Sequence, residues 1–577
     1  MKAPPTELHK EIWRLKPIYL RSIGLTIVAS LLSLSPSFYM LEVYDRVVNS
    51  RSLVTLVMLT LLVVFAYAVM EILEWVRSQM MRHAGHLLDS RLGDRVFGAV
   101  FKITLARGGA GGHQAMADLR QLREFFSSPA LLAVMESPVA LVILVILFSI
   151  HPVMGWFAVF GALLQLVIAV MTEKRTQPSL MLANKTASLA QNYAGNSLRN
   201  AQVIESMGML EGIQKRWMKM QQIVLLEQAK ASDHAGGLSA AAKSVQLIQS
   251  SALLGIGCWL ILVGEISGTG SAMILGSILG GKVLQPLVQL VSNWRGVVEV
   301  RGAYRRIEEL LQQIPLPPEK MSLPPPAGNL LVEAVTAGPP GSPRPILQNV
   351  SFALPAGECL AVVGPSASGK TTLARLLMGL WPAMAGKVRL DGADIYAWEK
   401  TELGPYVGYL PQGVELFDGT LAENIARFGG VDMASVEEAG RLVGLDEWVA
   451  GLPEGYQSRI GDEGAFLSGG QRQRVGLARA VYGRPRFIVM DEPNASLDER
   501  GEAALLDLVR TLKQQNISVV VITHRTSLLA VADRMLLLVN GMVQAYGPRD
   551  EVLAALAKSR TGAGASHSAA LTPVVRS

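Results

Sequence analysis

Long apolar runs in the first 300 residues constrain the fold of this chain more than any other feature. A helix needs about 20 mainly apolar residues to cross a bilayer, and six runs are near or above that length. They lie at residues 18–43, 53–75, 129–150, 153–172, 245–265 and 270–293. Only His151-Pro152 separates the third run from the fourth, which predicts a tight turn between antiparallel helices. The sequence therefore predicts an α-helical membrane domain with six spans.

Basic residues orient these spans. Residues 76–126 carry eight Lys and Arg and residues 173–244 carry nine, whereas the turns near His151 and Glu265 carry none. Positively charged loops stay in the cytoplasm, so the N-terminus, both long loops and the C-terminal half are expected there. The formal net charge of +6 follows this loop pattern, which indicates membrane lipid rather than nucleic acid as the surrounding partner. No small-residue cleavage site follows the first run, so we expect a retained helix rather than a signal peptide.

The two long loops have helical periodicity, notably at residues 87–103 and 188–231. The spans are therefore expected to continue into the cytoplasm as helical limbs. At 1.5 Å per residue, limbs of about 35 residues would reach roughly 50 Å from the bilayer. Such extensions favour an exporter, in which they can press on a cytoplasmic ATPase.

Polar and small residues inside the runs give further expectations. Glu136 and Lys282 are costly in lipid, and two alternatives stay open for each: a structural partner or interfacial snorkelling, or a cavity that contacts substrate. Gly276 and Gly280 form a small-xxx-small step that predicts close helix packing. The two cysteines, Cys258 and Cys359, are too few for a disulfide framework or a metal cluster. Both are expected to be buried as small apolar residues.

A proline-rich segment at residues 315–328 predicts the linker between two domains. The expected organisation is a short cytoplasmic segment at 1–17, the six-helix domain at 18–314, the linker at 315–328, a second domain at 329–557 and a tail at 558–577.

The second domain contains a phosphate-binding motif. A strand-like stretch at residues 358–363 leads into Gly364-Pro365-Ser366-Ala367-Ser368-Gly369-Lys370-Thr371-Thr372, which matches G-x-x-x-x-G-K-[ST] between a strand and a helix. Backbone N–H groups of such a loop surround phosphates, Lys370 adds a charge for the outer phosphates, and the Thr371 hydroxyl suits Mg²⁺. This motif alone predicts a nucleotide triphosphatase.

An acidic pair follows a later buried strand. Residues 487–490 are apolar and end in Asp491-Glu492. Asp491 suits the coordination of Mg²⁺, and Glu492 stands where a carboxylate can orient or deprotonate an attacking water.

Leu467-Ser468-Gly469-Gly470-Gln471 resembles the signature of ATP-binding-cassette (ABC) ATPases. Three further motifs carry the same resemblance: Gln412 in Leu410-Pro411-Gln412 as the Q-loop, Ser496-Leu497-Asp498 as the D-loop, and His524 in Thr523-His524-Arg525 as the switch histidine. The resemblance implies an α/β P-loop nucleotide-binding domain with ATP and Mg²⁺ as cofactors. It also implies catalytic roles for Glu492, His524, Lys370 and Gln412, and metal-binding roles for Thr371, Gln412 and Asp491.

The signature has a physical interpretation as an anion site. Ser468, Gly469 and Gly470 precede an expected helix at residues 472–482, so a hydroxyl and bare amides lie at a positive helix end. In the family this end, with Gln471 and the D-loop Asp498, completes the ATP site of a second copy. The resemblance therefore implies a homodimer with two composite ATP sites. One departure concerns adenine, which relatives stack on an aromatic residue in the first strand. Residues 335–340 contain none, so we expect apolar packing and relaxed base selectivity.

The membrane half resembles a narrower group of type I ABC exporters. Residues 42–53, with Val43-Tyr44-Asp45-Arg46-Val47, and residues 122–126 are similar to type I secretion permease/ATPases. The match departs at Glu136-Ser137-Pro138-Val139, where relatives often have Asp-x-Pro-Trp. About 17 residues precede the first run, which favours the protease, lipase and hemophore exporter branch over those with an N-terminal peptidase domain.

That branch implies an unfolded protein cargo with a C-terminal signal, a periplasmic adaptor (membrane fusion protein), an outer-membrane channel, and location in the bacterial inner membrane. A homodimeric exporter of lipid, drug or peptide remains the alternative.

Overall fold

The computed structural model describes residues 6–107, 112–265, 271–316, 322–461, 464 and 466–555. The chain divides into two compact units, Met1–Leu316 and Pro317–Ser577. The expected tail at 558–577, the start of the sixth run at residue 270, and residues 317–321 of the expected linker lie outside the described residues.

The N-terminal unit is helical throughout the part that the structure describes. Its helices are α1 (Glu7–Arg14), α2 (Lys16–Leu32), α3 (Ser35–Glu42), a π-helical turn (Val43–Val47), α4 (Val48–Ser50), α5 (Leu53–Arg107), α6 (Gly112–Phe125), α7 (Pro129–Ile150), α8 (Pro152–Arg199), α9 (Ala201–Ser206), α10 (Leu210–Val263), α11 (Ser271–Ser292) and α12 (Trp294–Gln313). Within the described ranges, six helical segments are long and apolar enough to cross a membrane. The prediction of six spans is thereby confirmed.

The first span is not the continuous helix that its apolar run predicts. α2 ends at Leu32 and α3 begins at Ser35, with Pro36 in the first turn of α3. Proline has no N–H to give to the preceding turn, and the next two amides, of Ser37 and Phe38, both donate to the Leu34 carbonyl. The helical hydrogen-bond ladder therefore restarts here, because local backbone chemistry overrides the apolar run.

The predicted helical limbs form. Residues 87–103 lie inside the 55-residue helix α5, as their periodicity predicts. Residues 188–231 are also helical over most of their length, but they are divided among three helices: α8 ends at Arg199, α9 spans Ala201–Ser206, and α10 starts at Leu210. Gly208 has a φ of 65°, a left-handed conformation that glycine adopts readily. The limb thus turns back on itself through α9.

The C-terminal unit is an α/β domain with two sheets. Its strands are β1 (Leu330–Ala337), β2 (Leu347–Leu354), β3 (Cys359–Val363), β4 (Ala385–Leu390), β5 (Ala393–Asp394), β6 (Val407–Leu410), β7 (Phe487–Asp491), β8 (Ser518–Ile522), β9 (Arg534–Val539) and β10 (Met542–Pro548). Its helices are α13 (Lys370–Leu377), α14 (Lys400–Leu403), α15 (Leu421–Ile425), α16 (Met433–Leu442), α17 (Asp446–Ala450), α18 (Gly469–Val481), α19 (Glu499–Gln514) and α20 (Thr526–Leu529), with short 3₁₀ turns at Gly404–Tyr406 and Gly455–Gln457.

The strand order of the larger sheet places the motifs side by side. The order is β10-β9-β3-β8-β7-β6, and β9, β3, β8, β7 and β6 are parallel. The smaller sheet, β2-β1-β4-β5, is antiparallel. In a parallel sheet the carboxyl ends of the strands form one edge, where ligands bind. The residues that follow β3, β6, β7 and β8 therefore lie along one edge.

β7 is buried on both faces, as a central parallel strand requires. Phe487 and Val489 pack in the core shared with the smaller sheet. Ile488 and Met490 pack against the helices on the other face. This alternation fixes the strand rigidly, so the acidic pair at its end has a defined position.

Candidate functional site: the carboxyl edge of the large sheet

The phosphate loop runs from the end of β3 to Lys370, the first residue of α13. Gly369 has a φ of 100°, and a Cβ atom there would lie only 2.7 Å from Leu347 Cδ2, so the position requires glycine. Lys370 Nζ donates to the carbonyl oxygens of Gly364 and Pro365, each at 2.9 Å. The ammonium group is therefore held within the loop that is predicted to bind phosphates.

Asp491, the last residue of β7, is only 1% exposed. Burial raises its pKa, while a hydrogen bond from the Thr371 side chain and the charge of Lys370 act in the opposite direction. Asp491 Oδ2 and Ser368 Oγ are buried without a hydrogen-bond partner among the described residues. A carboxylate oxygen and a threonine hydroxyl are ligands that Mg²⁺ prefers. Asp491 and Thr371 therefore fit a magnesium site.

Glu492 lies between two polar side chains from the neighbouring strands. Gln412, which follows β6, donates from Nε2 to Glu492 Oε2 at 3.1 Å. His524, which follows β8, has its Nε2 3.4 Å from Glu492 Oε1. Burial lowers the pKa of Lys370, and the negative charges of Glu492 and Asp491 oppose that shift. The structure thus brings together the six polar side chains predicted for catalysis and metal binding: Lys370, Thr371, Gln412, Asp491, Glu492 and His524.

The signature forms a capped helix end. Ser468 Oγ accepts a hydrogen bond from the Gln471 amide at 3.3 Å, and Gln471 Oε1 accepts from the Ser468 amide at 2.8 Å. α18 consequently begins at Gly469, so the predicted start at residue 472 was wrong. This reciprocal capping box offsets the helix cost of the two glycines, about 1 kcal/mol each. The positive end of the 13-residue helix lies at residues 468–470.

This helix end makes no direct polar contact with the phosphate loop. Among the described residues, no hydrogen bond or ion pair joins residues 468–471 to residues 364–372. Binding of an anion by the end of α18 stays a prediction.

Asp498 caps α19. Its Oδ1 accepts from the Gly501 amide at 2.9 Å and from Arg474 Nη2 at 2.8 Å. The Gly501 hydrogen bond is the largest of the causes that lower the pKa of Asp498. Within one protomer Asp498 is thus a helix cap and an ion-pair partner, and its role in nucleotide binding stays a prediction.

Sequence reasoning missed Gln473. Its side chain is 4% exposed, and Nε2 donates to the Pro493 carbonyl at 2.9 Å. The sequence contains only a weak sign of this role. Gln473 lies on the same helix face as Leu477, which is also buried, so a polar residue interrupts an apolar stripe.

The aromatic-free residues 335–340 run from the end of β1 into the next loop, which leads to an apolar residue beside the phosphate loop. Ile346 is 37% exposed, and its Cγ2 lies 3.1 Å from where a Cβ of Gly369 would be. Ile346 is therefore a candidate for the apolar packing that is predicted for adenine.

Lys282 in α11 has a partner in the broken first span. Its Nζ donates to the Ser33 carbonyl and also to Ser33 Oγ at 3.0 Å. Ser33 lies at the C-terminal end of α2, where carbonyl groups carry partial negative charge. The structural-partner alternative for Lys282 therefore has an observed partner. Glu136 is half-buried in α7.

Close packing explains the two glycines of α11. A Cβ at Gly276 would lie 2.1 Å from Met154 Cε of α8, and one at Gly280 would lie 2.0 Å from Leu253 Cδ1 of α10. The packing prediction is confirmed. Of the cysteines, Cys359 is buried, but Cys258 is exposed, so the expectation that both are buried was wrong. An apolar residue in a span can face lipid and needs no protein cover.

Comparisons with known proteins agree with this arrangement. Residues 347–495 match the family "ABC transporter", and residues 19–279 match "ABC transporter transmembrane region". The type I secretion system ATP-binding protein PrsD of Rhizobium meliloti (strain 1021) is 39% identical over 528 residues, covering 91% of this chain and 90% of that protein. The leukotoxin translocation ATP-binding protein LktB of Mannheimia haemolytica is 26% identical over 558 residues, covering 93% and 76%.

A solved structure of a bacterial Atm1-family ABC exporter with ATP bound shares the fold. The TM-score is 0.81 at 22% identity, covering 97% of this chain and 99% of that chain. The predicted fold class, a type I ABC exporter with a P-loop nucleotide-binding domain, is confirmed.

Proposed function

Because this chain belongs to the ABC transporter family, and resembles its type I secretion ATP-binding proteins over nine-tenths of its length, we propose that it exports an unfolded protein across the bacterial inner membrane. The chain is a membrane protein and an ATP-hydrolysing exporter. The proposal adds the cargo, the partners, the membrane and the residues that carry out hydrolysis.

The observation that carries the hydrolytic part is the position of Glu492. Its carboxylate contacts both Gln412 and His524 and acts electrostatically on Lys370 in the phosphate loop. A carboxylate at this place can orient the attacking water and accept its proton. His524 can donate to the transferred phosphoryl group, and Lys370 can stabilise its charge. Residues 364–372 bind the phosphates of ATP in this proposal.

Mg²⁺ is the proposed second cofactor. Thr371, Asp491 and Gln412 would hold it, and the buried unpaired Oδ2 of Asp491 is the feature that fits a cation. Gln412 uses its Nε2 toward Glu492, so its amide oxygen remains a possible ligand. A bound Mg²⁺ supplies neutralisation of charge on the outer phosphates.

A homodimer completes the site. Ser468, Gly469, Gly470 and Gln471 form a capped helix end, whose positive end suits an anion and which, among the described residues, makes no hydrogen bond to the phosphate loop of its own copy. In the proposed dimer this end and Asp498 engage ATP held by the second copy. Two ATP molecules would then hold the two nucleotide-binding domains together. The helical limbs built from α5, α8 and α10 would transmit this movement to the membrane spans.

The cargo and the envelope partners are inferred from the relatives. PrsD is named as a type I secretion protein, and the π-helical turn Val43–Val47 is the segment that resembles that group. We infer a protein cargo of the protease, lipase or repeat-toxin kind with a C-terminal signal. A periplasmic adaptor and an outer-membrane channel would complete the export path.

Substitution of Glu492 tests the hydrolytic mechanism. Glu492→Gln should lower ATP hydrolysis by about 10²-fold or more, the range for losing general-base catalysis, and should trap an ATP-bound dimer on size-exclusion chromatography. Glu399→Gln, at an exposed position in the same unit, is the matched control and should hydrolyse ATP normally. Undiminished hydrolysis by Glu492→Gln would refute the assignment.

A stimulation assay separates the cargo classes. The purified transporter in proteoliposomes should hydrolyse ATP faster with the C-terminal fragment of a secreted protein encoded beside it, and should not respond to the N-terminal fragment. If lipids or drugs stimulate hydrolysis and neither fragment does, the lipid or drug exporter alternative replaces protein secretion.

A further inference from the structure

The signature helix α18 is bonded to the residue that directly follows the proposed catalytic carboxylate. Gln473 donates from Nε2 to the Pro493 carbonyl at 2.9 Å. We propose that Gln473 is a positioning residue for Glu492, through which ATP engaged by the signature sets the geometry of the carboxylate in the other composite site. The inference rests on the proposed homodimer.

The hydrogen bond between Gln473 and the Pro493 carbonyl is buried. Gln473 is 4% exposed, and Asn494, the residue after Pro493, is 8% exposed. A buried carbonyl that loses its hydrogen bond pays the full cost of its desolvation. Water has little access to replace the Gln473 amide, so this part of the loop depends on it.

The backbone of Glu492 needs such support. Its φ is 52°, in the left-handed region that is uncommon for residues other than glycine. It also precedes a proline, whose ring disfavours compact conformations of the preceding residue. Residues held in this way are strained and persist only where their surroundings fix them.

Two anchors fix Glu492, one on each side. Before it, the strand and the hydrogen bond from the Glu492 amide to the Ile522 carbonyl, at 2.9 Å, hold the peptide to β8. After it, the Gln473 side chain holds the carbonyl of Pro493. Loss of the second anchor would let the strained residue relax and would move its carboxylate away from Gln412 and His524.

Further contacts tie the same loop to α18. A Cβ at Gly470 would lie 3.0 Å from the Ser496 carbonyl, so the first turn of α18 packs closely on the loop. Arg474 binds Asp498 at 2.8 Å. The positive end of α18 and residues 493–498 therefore form one connected element, which we call the signature bracket.

The signature bracket links two different ATP molecules. Its helix end would bind ATP held by the second copy, whereas Glu492 would act on ATP held by its own phosphate loop. A shift of α18 on nucleotide binding would be passed by Gln473 to the backbone at residues 492–493. Each site would then reach its hydrolytic geometry only when the other is filled.

Three variants of the full-length transporter in detergent test the role. Gln473→Leu removes the donor at similar volume, and Gln473→His restores an N–H donor. Gln515→Leu, at the exposed residue that follows α19, is the control. For Gln473→Leu we expect at least a tenfold lower kcat with KM for ATP within threefold, because the phosphate loop is untouched. The Hill coefficient should fall to about 1, and Gln473→His should recover part of kcat. A purely structural role would lower the thermal midpoint without this kcat and KM split.

Mixed dimers locate the effect. One copy carries Glu492→Gln, so that only the other copy hydrolyses ATP. Gln473→Leu in the copy with the intact Glu492 should abolish most of the remaining activity. Placed in the copy with Glu492→Gln, it should leave at least half. Loss mainly when Gln473→Leu is placed in the copy with Glu492→Gln would show that Gln473 acts through the signature alone and would overturn the proposal. Equal loss in both arrangements, or no loss in either, would also overturn it.

The failure of the dimer and the failure of Gln473 are distinguishable. If Glu492→Gln does not trap an ATP-bound dimer, the composite site fails whatever Gln473 does. If the dimer is trapped but Gln473→Leu hydrolyses ATP normally, only the positioning role is refuted.

Discussion

The ion pair between Arg306 of α12 and Asp118 of α6 should be one of the strongest single contacts in the membrane unit. Arg306 makes two hydrogen bonds to the Asp118 carboxylate, at 2.8 and 2.7 Å. Asp118 is 1% exposed, while the Arg306 side chain is 45% exposed. Gln114 adds a third donor to the same carboxylate at 2.9 Å.

The expected cost of Arg306→Met follows from this asymmetry. Breaking a fully buried pair costs about 3–5 kcal/mol, and an exposed pair is worth about 0–1 kcal/mol. Solvent screens the half-exposed guanidinium and Gln114 still bonds the carboxylate, so about 2 kcal/mol is expected. At about 2 °C per kcal/mol for a large domain, the thermal midpoint should fall by roughly 4 °C.

A double-mutant cycle on the full-length protein in detergent measures the coupling. Asp118→Leu with Arg306→Met should be less destabilised than the sum of the single variants, because no unpaired carboxylate is then left in the interior. Arg295→Met is the matched control on the same helix, since Arg295 and Glu299 form an exposed i,i+4 pair worth about 0.3–0.5 kcal/mol. An Arg306→Met midpoint equal to that of Arg295→Met would refute the reasoning.

Three other predictions concern separate sites. Lys282→Met leaves the Ser33 carbonyl without its donor, so export should fall while ATP hydrolysis is retained; unchanged export would rule out a role for Lys282. Burial raises the pKa of Cys359 to about 12, so the folded chain keeps this thiol protonated where the unfolded chain loses the proton. Stability should therefore decline as pH rises above about 8.5, and at pH 8 mass spectrometry should find Cys359 alkylated only after denaturation. Ile346→Ala should raise KM for ATP and GTP by similar factors, and strong discrimination against GTP by the wild type would contradict purely apolar base packing.

The sequence predicted the strands and motifs of the ATPase unit because each carries local information. Short apolar runs in the sequence indicate buried parallel strands, and the Gly, Lys and Thr residues of the phosphate loop have a fixed spacing. The sequence did not predict that Glu492 would contact both Gln412 and His524. Those contacts depend on the order β8-β7-β6 in the sheet, which is set by the crossover connections rather than by any one segment.

The misplaced start of α18 shows a different limit. Glycine lowers helix propensity by about 1 kcal/mol, which favours a helix start after Gly469 and Gly470. Ser468 and Gln471 together form a capping box, a pattern that is present in the sequence. The cap contributes a comparable free energy, so the helix begins at Gly469.

In the membrane unit, Lys282 of α11 is the donor to a carbonyl at the break between α2 and α3. Apolar run length cannot reveal the break between α2 and α3, because a serine and a proline barely change the hydropathy of residues 18–43. In lipid, however, a carbonyl released by a broken helix needs a donor, since each unsatisfied group costs several kcal/mol. Lys282 supplies that donor to Ser33 from α11. An intramembrane lysine therefore predicts either a ligand or a helix break elsewhere, and the Ser35-Pro36 step was the local sign that could have decided between them.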